Sequence, residues 1–140
     1  MKTSLLLSIY IKNTVKELND CFESIRNQSN IPNEIILIID GPVKEVVLKD
    51  IVKWSEILPI KTSMLKKNMG LAYALNYGMK LCTNDWVFRM DIDDVCAKDR
   101  FQKIILVRSN MAAKHMSIAR FYQEENKYTA ALNRYKVVIN

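Results

Sequence analysis

A chain of 140 residues, 49% of them hydrophobic, is long enough for one domain with a real core and too apolar for a disordered one. The formal charge of +6 suits phosphate-bearing ligands or an anionic membrane surface, but no basic run exceeds two residues and aromatics do not interleave with basic side chains, which argues against nucleic acid. The apolar start Leu5-Leu6-Leu7 breaks at Ser8, Lys12 and Asn13, too soon for a signal core or a membrane span.

Residues 4–9 are apolar almost throughout and predict a first buried strand. Val15, Leu18, Cys21, Phe22 and Ile25 recur at helical spacing, with Asn13 or Thr14 placed to cap and an end near Gln28-Ser29-Asn30. Residues 34–39, rich in isoleucine, predict a second strand that stops at the turn signal Asp40-Gly41-Pro42. Val43, Val46, Val47, Ile51 and Trp54 mark the next helix, and residues 59–65 a third strand. After the loop Lys66-Lys67-Asn68-Met69-Gly70, the residues Leu71, Ala72, Leu75, Met79 and Leu81 predict a third helix. A short strand at Trp86 and a helix from Asp99-Arg100-Phe101 to Val107 follow. Cys21, Cys82 and Cys96 lack metal spacing and read as reduced, mostly buried thiols in a cytoplasmic setting.

The chemistry concentrates in Arg89-Met90-Asp91-Ile92-Asp93-Asp94, directly after the apolar Trp86-Val87-Phe88. Taken alone, such a cluster is an ordinary acidic turn. At the mouth of a strand it offers oxygen ligands to a hard cation such as Mg²⁺ or Mn²⁺, with Asp91 and Asp93 on one face. The alternation of strand and helix predicts a mostly parallel α/β sheet with helices on both faces. Ligands of such sheets lie beyond the carboxyl ends of the strands. That edge receives loops 10–12, 40–43, 66–70 and 91–96, so the acidic cluster falls on it.

Five blocks in order carry a resemblance: Ser-Leu-Leu-Leu-Ser-Ile-Tyr at 4–10, Glu-Ser-Ile-Arg-Asn-Gln-Ser at 23–29, Glu-Ile-Ile-Leu-Ile-Ile-Asp-Gly-Pro at 34–42, Asn-Met-Gly-Leu-Ala-Tyr-Ala-Leu-Asn-Tyr-Gly at 68–78, and Arg-Met-Asp-Ile-Asp-Asp at 89–94 with Asp-Arg-Phe at 99–101. Residues 3 to about 102 resemble the N-terminal half of family 2 glycosyltransferases with the Rossmann-like GT-A fold. The resemblance implies a nucleotide-diphosphosugar donor of the UDP or GDP type, a divalent cation (Mn²⁺ or Mg²⁺), and an acceptor glycan or lipid-linked sugar in surface polysaccharide or lipopolysaccharide synthesis. Carried over by position, Ser8 and Tyr10 approach the base or ribose and Asp40 accepts a hydrogen bond from the base. Lys67 and Asn68 come near the donor, Asp93 binds the metal, and Asp91 holds the ribose or the metal. Asn76 and Gly78 are expected to serve helix packing, and Arg100 to pair with a carboxylate. Two departures stand out: Ile11 where many relatives carry Asn, and Ala97-Lys98 where an apolar residue and Pro are usual.

Residues 1–105 therefore read as a nucleotide-sugar-binding domain and residues 106–140 as a helical tail. From about Lys103 the sequence resembles a tetratricopeptide segment of the outer-membrane barrel-assembly lipoprotein, as in a gene fusion. Ala112, Met116, Ala119 and Tyr122 form one helical stripe, and Tyr128, Ala131, Leu132, Tyr135 and Val138 another, with a turn near Glu125. The resemblance leaves the acceptor half and its general base unaccounted for. A sugar-transferring enzyme, truncated, is the leading reading; a non-catalytic remnant acting through nucleotide binding or its tail is the alternative. Peripheral association with the inner face of a membrane and self-association through the tail are further expectations.

Overall fold

Strand and helix alternate along the chain: β1 (Thr3–Ile9), α1 (Val15–Arg26), β2 (Glu34–Ile39), α2 (Glu45–Ser55), β3 (Ile60–Met64), α3 (Leu71–Met79), β4 (Trp86–Arg89) and α4 (Arg100–Glu124). The structure is a computed structural model that describes residues 2–124. The strands form one sheet in the order β3-β2-β1-β4, every neighbouring pair parallel. This is the α/β Rossmann-like arrangement that the alternation predicts.

The central strands are apolar on both faces because both faces are covered. Leu6, Ile36 and Ile38 pack with Ala74 of α3. The alternate residues Leu5, Leu7, Ile9, Ile35 and Leu37 point the other way and are fully buried. The chain passes from β1 to β2 to β3 through α1 and α2, crossovers that in parallel sheets are right-handed as a rule and so put both helices on one face. The two helices pack on each other, the Phe22 and Trp54 rings 5.8 Å apart. The path from β3 to β4 crosses back over the sheet and leaves α3 on the opposite face. There Gly78 permits the approach: a Cβ would run into the Leu6 and Ile38 side chains. The direction of winding reverses between β1 and β4, the point where such sheets open a ligand crevice.

Several element ends differ from expectation for local reasons. Thr14 caps α1, its hydroxyl accepting the Glu17 N–H while the Glu17 carboxylate accepts the Thr14 N–H. That helix ends at Arg26, and Gln28 leaves it to serve another segment. In α2 the buried stripe is Val47, Ile51 and Trp54, and Val46 is exposed. In α3 the buried residues are Ala74 and Gly78, while Leu71 and Met79 are exposed. The expected stop of the last helix at Val107 is absent. No glycine or proline interrupts residues 100–124, so α4 runs on through the first stripe of the tail. The second stripe, from Tyr128 to Val138, and the turn at Glu125 lie outside the described residues. The chain divides into two compact units, Met1–Phe101 and Gln102–Asn140. Among the described residues no helix is long and apolar enough to cross a membrane.

Candidate functional site

A cleft of about 390 Å³ opens at the carboxyl edge of the sheet. That volume falls in the range of small-ligand pockets. Each strand of the sheet delivers part of it. The end of β1 contributes Ser8, Tyr10 and Asn13, the end of β2 Asp40, the loop after β3 Asn68, Gly70 and Leu71, and the loop after β4 Asp91, Ile92 and Asp93. Six of the seven residues expected at a donor site from the sequence therefore meet in one cleft. Lys67 is exposed and is not among its lining residues. The sequence marks Asn13 only as a candidate cap. Its side-chain oxygen accepts the Tyr10 N–H at 3.0 Å and holds the first loop in a tight turn, a role its spacing from Tyr10 hints at.

Asp40 organises one wall. It is 3% exposed, and its two carboxylate oxygens accept the N–H groups of Met69 and Gly70 at 2.7 and 3.0 Å. The Asn68 amide returns a bond to the Asp40 carbonyl at 3.3 Å. Gly41 lets the two loops touch. Its φ is +86°, and a Cβ there would sit 2.5 Å from the Asn68 nitrogen and 2.8 Å from the Lys67 carbonyl carbon. The start of α3 follows directly, at Leu71 on the cleft, with no side chain capping it. An uncapped helix start presents N–H groups and the positive end of the helix dipole, which favours an anion.

The acidic loop forms the other wall. Ile92 anchors it in the core at 2% exposure, and the Asp94 N–H closes a turn onto the Asp91 carbonyl at 3.1 Å. Asp91 is engaged by Arg89, whose guanidinium reaches both carboxylate oxygens at 2.9 and 3.3 Å. Arg100 turns to a carbonyl, that of Arg89 at 3.2 Å, in place of the expected carboxylate. Beneath the loop, the Phe88 and Phe101 rings stack with centroids 5.4 Å apart, worth about 0.5–1.5 kcal/mol beyond the area they bury. Burial pushes the Cys21 thiol up to about 12, with Cys96, Asp94 and Asp93 acting in the same direction. It therefore stays protonated at neutral pH. Cys21, Cys82 and Cys96 are all free.

Among the described residues no three His, Cys, Asp or Glu side chains converge as a closed metal cage. What the cleft offers is Asp93, with Asp91 beside it, on an open wall. One or two carboxylates, completed by phosphate oxygens and water, are the donor set that Mg²⁺ or Mn²⁺ takes at phosphate sites, so the residues present fit such an ion.

The sequence matches the family described as Glycosyl transferase family 2 over residues 7–136. It is 42% identical over 102 residues to the amylovoran biosynthesis glycosyltransferase AmsE of Erwinia amylovora, covering 73% of this chain and 38% of that protein. It is 40% identical over 104 residues to the UDP-Gal:alpha-D-GlcNAc-diphosphoundecaprenol beta-1,3-galactosyltransferase of Escherichia coli, covering 74% and 38%. An uncharacterized glycosyltransferase of Haemophilus influenzae is 45% identical over 103 residues, covering 74% and 39%. The chain thus spans 38–39% of the length of these three relatives. Among solved structures, S. aureus TarS 1-349 in complex with UDP-GlcNAc matches with a TM-score of 0.68 at 23% identity, over 82% of this chain and 32% of that one. A mannosyltransferase from Pyrobaculum calidifontis in complex with GDP-Man and Mn²⁺ matches with a TM-score of 0.57 at 18% identity, over 66% and 27%. These two likenesses establish the fold. Together with the family match across most of the chain, they lead to one conclusion: the chain belongs to glycosyl transferase family 2.

Proposed function

We propose that the cleft binds the nucleoside-diphosphate part of a sugar donor with Mn²⁺ or Mg²⁺, in the service of sugar transfer to a hydroxyl acceptor. The observation that carries this is the meeting of Ser8, Tyr10, Asp40, Asn68, Asp91 and Asp93, from four separate loops, in one cleft. Tyr10 and Ser8 would lie against the base and ribose. Asp93 would hold the cation and Asp91 the ribose or the cation. When bound, the cation supplies charge stabilisation to the departing diphosphate. The start of α3 would face the same phosphates, and Lys67, exposed at the rim, would reach them only on donor binding. Asp40 has a second task beside any bond to the base, since it already fixes the Asn68 loop.

The names of the relatives support an acceptor of the surface-glycan or lipid-linked class. An acceptor of the second kind would bring the protein to the inner face of a membrane. A second reading keeps nucleotide binding and drops transfer, with residues 106–140 as an interaction module. It is favoured by the division after Phe101 and by the alignment of three relatives over only 102–104 residues. The family match reaching residue 136 counts against a foreign origin for the tail.

The test is calorimetric titration of the chain with UDP and with GDP, each with Mn²⁺ and with a chelator. Tighter binding of one nucleotide with Mn²⁺, lost in Asp93→Ala, is the expected result. Absence of binding by a folded chain would overturn the proposal, and binding without sugar transfer would favour the second reading.

A further inference from the structure

Two carboxylates on one short loop repel, and here Arg89 faces only one of them, Asp91. A loop that must keep them in place needs support from behind, as ligands at metal sites do. From its leading side the acidic loop is held by the sheet, the Met90 N–H donating to the Leu6 carbonyl at 3.3 Å. Beyond the turn at Asp94, residues 95–99 have no regular structure. They are held by side chains from the last turns of α1 and the residues just after it.

Ser24 Oγ accepts the Cys96 N–H at 3.1 Å and donates to the Cys21 carbonyl at 2.7 Å. The Gln28 amide NH₂ shares its two hydrogens among the Ala97 carbonyl at 2.7 Å, the Ser24 carbonyl at 3.1 Å and Cys96 Sγ at 3.1 Å. Its oxygen accepts the Phe101 N–H at 3.5 Å. The Ser29 N–H donates to the Lys98 carbonyl at 2.9 Å. Ser24, Gln28 and Cys96 are all buried, at 9%, 7% and 8% exposure. Polar side chains at that depth, tying α1 to the backbone of one loop, are costly unless the bonds are made and rigid once they are.

We infer that Gln28, with Ser24, is a positioning residue that clasps segment 96–101 and so fixes the acidic loop for its cation. The inference rests on the proposed role of Asp93 and Asp91. Gln28 touches neither the cation nor the nucleotide; it acts through the loop backbone. Loss of the clasp lets the carboxylates part in the free protein, so the cation must then reassemble its site.

The experiment compares the wild type, Gln28→Ala, Ser24→Ala and Asn19→Ala in the full chain. Asn19 is the control, because it lies on the same helix and joins α1 to α2 through Asp50 and Trp54 without touching the loop. UDP affinity is measured with Mn²⁺ and with a chelator, thermal stability is recorded, and amide exchange is followed over residues 91–97. Gln28→Ala is expected to reduce the gain in UDP affinity that Mn²⁺ brings by about 10–100-fold, leave the affinity in chelator unchanged and speed exchange over 91–97. Asn19→Ala is expected to lower stability alone. Ser24→Ala, a smaller change, follows Gln28→Ala and decides if the latter does not fold. An unchanged Mn²⁺ gain together with unchanged exchange in the Gln28 and Ser24 variants overturns the inference. If the wild type shows no Mn²⁺ gain, the proposed function fails instead, and exchange over 91–97 alone decides the clasp: faster exchange upholds it and equal exchange overturns it.

Discussion

Both oxygens of the Asp40 carboxylate are taken by backbone N–H groups, so this side chain shapes the cleft before any ligand enters. Asp40→Asn would place an amide NH₂ against one of those N–H donors. A buried donor without an acceptor costs about 1–3 kcal/mol. The variant is expected to lose that much stability in urea denaturation and to bind nucleotide more weakly through a loosened Asn68 loop. An unchanged denaturation midpoint would show that the carboxylate does not hold the loop. At this scale the sequence was informative where residues sit in turns beside strand ends, because the parallel sheet sends all such turns to one edge. Asp40, Asn68, Asp91 and Asp93 were legible in that way. Gln28 was not. It sits at a helix end, where a polar residue usually faces water, and its partners lie about seventy residues away. Its burial follows from the path of the 95–99 segment, which has no periodicity to read.

The elements were legible in proportion to how fully their environment matched their pattern. The second strand has the bounds its sequence predicts, residues 34–39, because all six of its residues are buried and the apolar run is unbroken after Glu34. The sequence reads the right faces of α1 and α2, with a stripe too wide in α2, but misplaces that of α3: of its expected stripe only Leu75 packs on the core, and the residues that meet the sheet are the small Ala74 and Gly78, which carry little hydrophobic signal. The joint between loops is the element-level feature that patterning alone misses. Gly41 reads as a turn glycine, yet its positive φ also brings it against Asn68 and Lys67. Gly41→Ala is therefore expected to cost more than the roughly 1–2 kcal/mol of a left-handed alanine, because a backbone contact must shift as well. Nucleotide affinity should fall with it. Thr14→Ala is the contrast. It removes the cap of α1 and is expected to cost about 1 kcal/mol while leaving nucleotide affinity unchanged. Denaturation and titration of the two variants side by side separate a loop joint from a helix cap.

Across the whole molecule the two ends of the strands carry different tasks. The carboxyl edge carries the acidic loop with Asp91 and Asp93 beside the buried Asp40, and the amino edge carries one buried carboxylate that ties the strands together. Glu34, at the start of β2 and 3% exposed, accepts hydrogen bonds from Ser4 of β1 at 2.6 Å and from Lys61 of β3 at 2.9 Å. It also accepts from the Thr83 N–H and hydroxyl at 2.6 and 2.9 Å, and from Asn84 at 3.3 Å, just before β4. Burial on its own raises this carboxyl, but the bonds from Ser4, Thr83 and Lys61 outweigh it and lower it from the ordinary 4.5 to about 2. A carboxyl held lower in the folded than in the unfolded chain stabilises the fold above the unfolded value, and that stability is lost as pH falls through the folded one. Glu34 should therefore contribute on the order of 3 kcal/mol at neutral pH, fading between about pH 4.5 and pH 2. In Glu34→Gln that part of the pH dependence should vanish, and stability at neutral pH should drop because the amide NH₂ meets donors from Ser4 and Thr83. Urea denaturation of both proteins from pH 2 to pH 7 reads the difference, and parallel curves across that window would remove Glu34 as the tie. Nothing in this edge touches the cleft, so nucleotide affinity at neutral pH should survive the substitution as long as the sheet does.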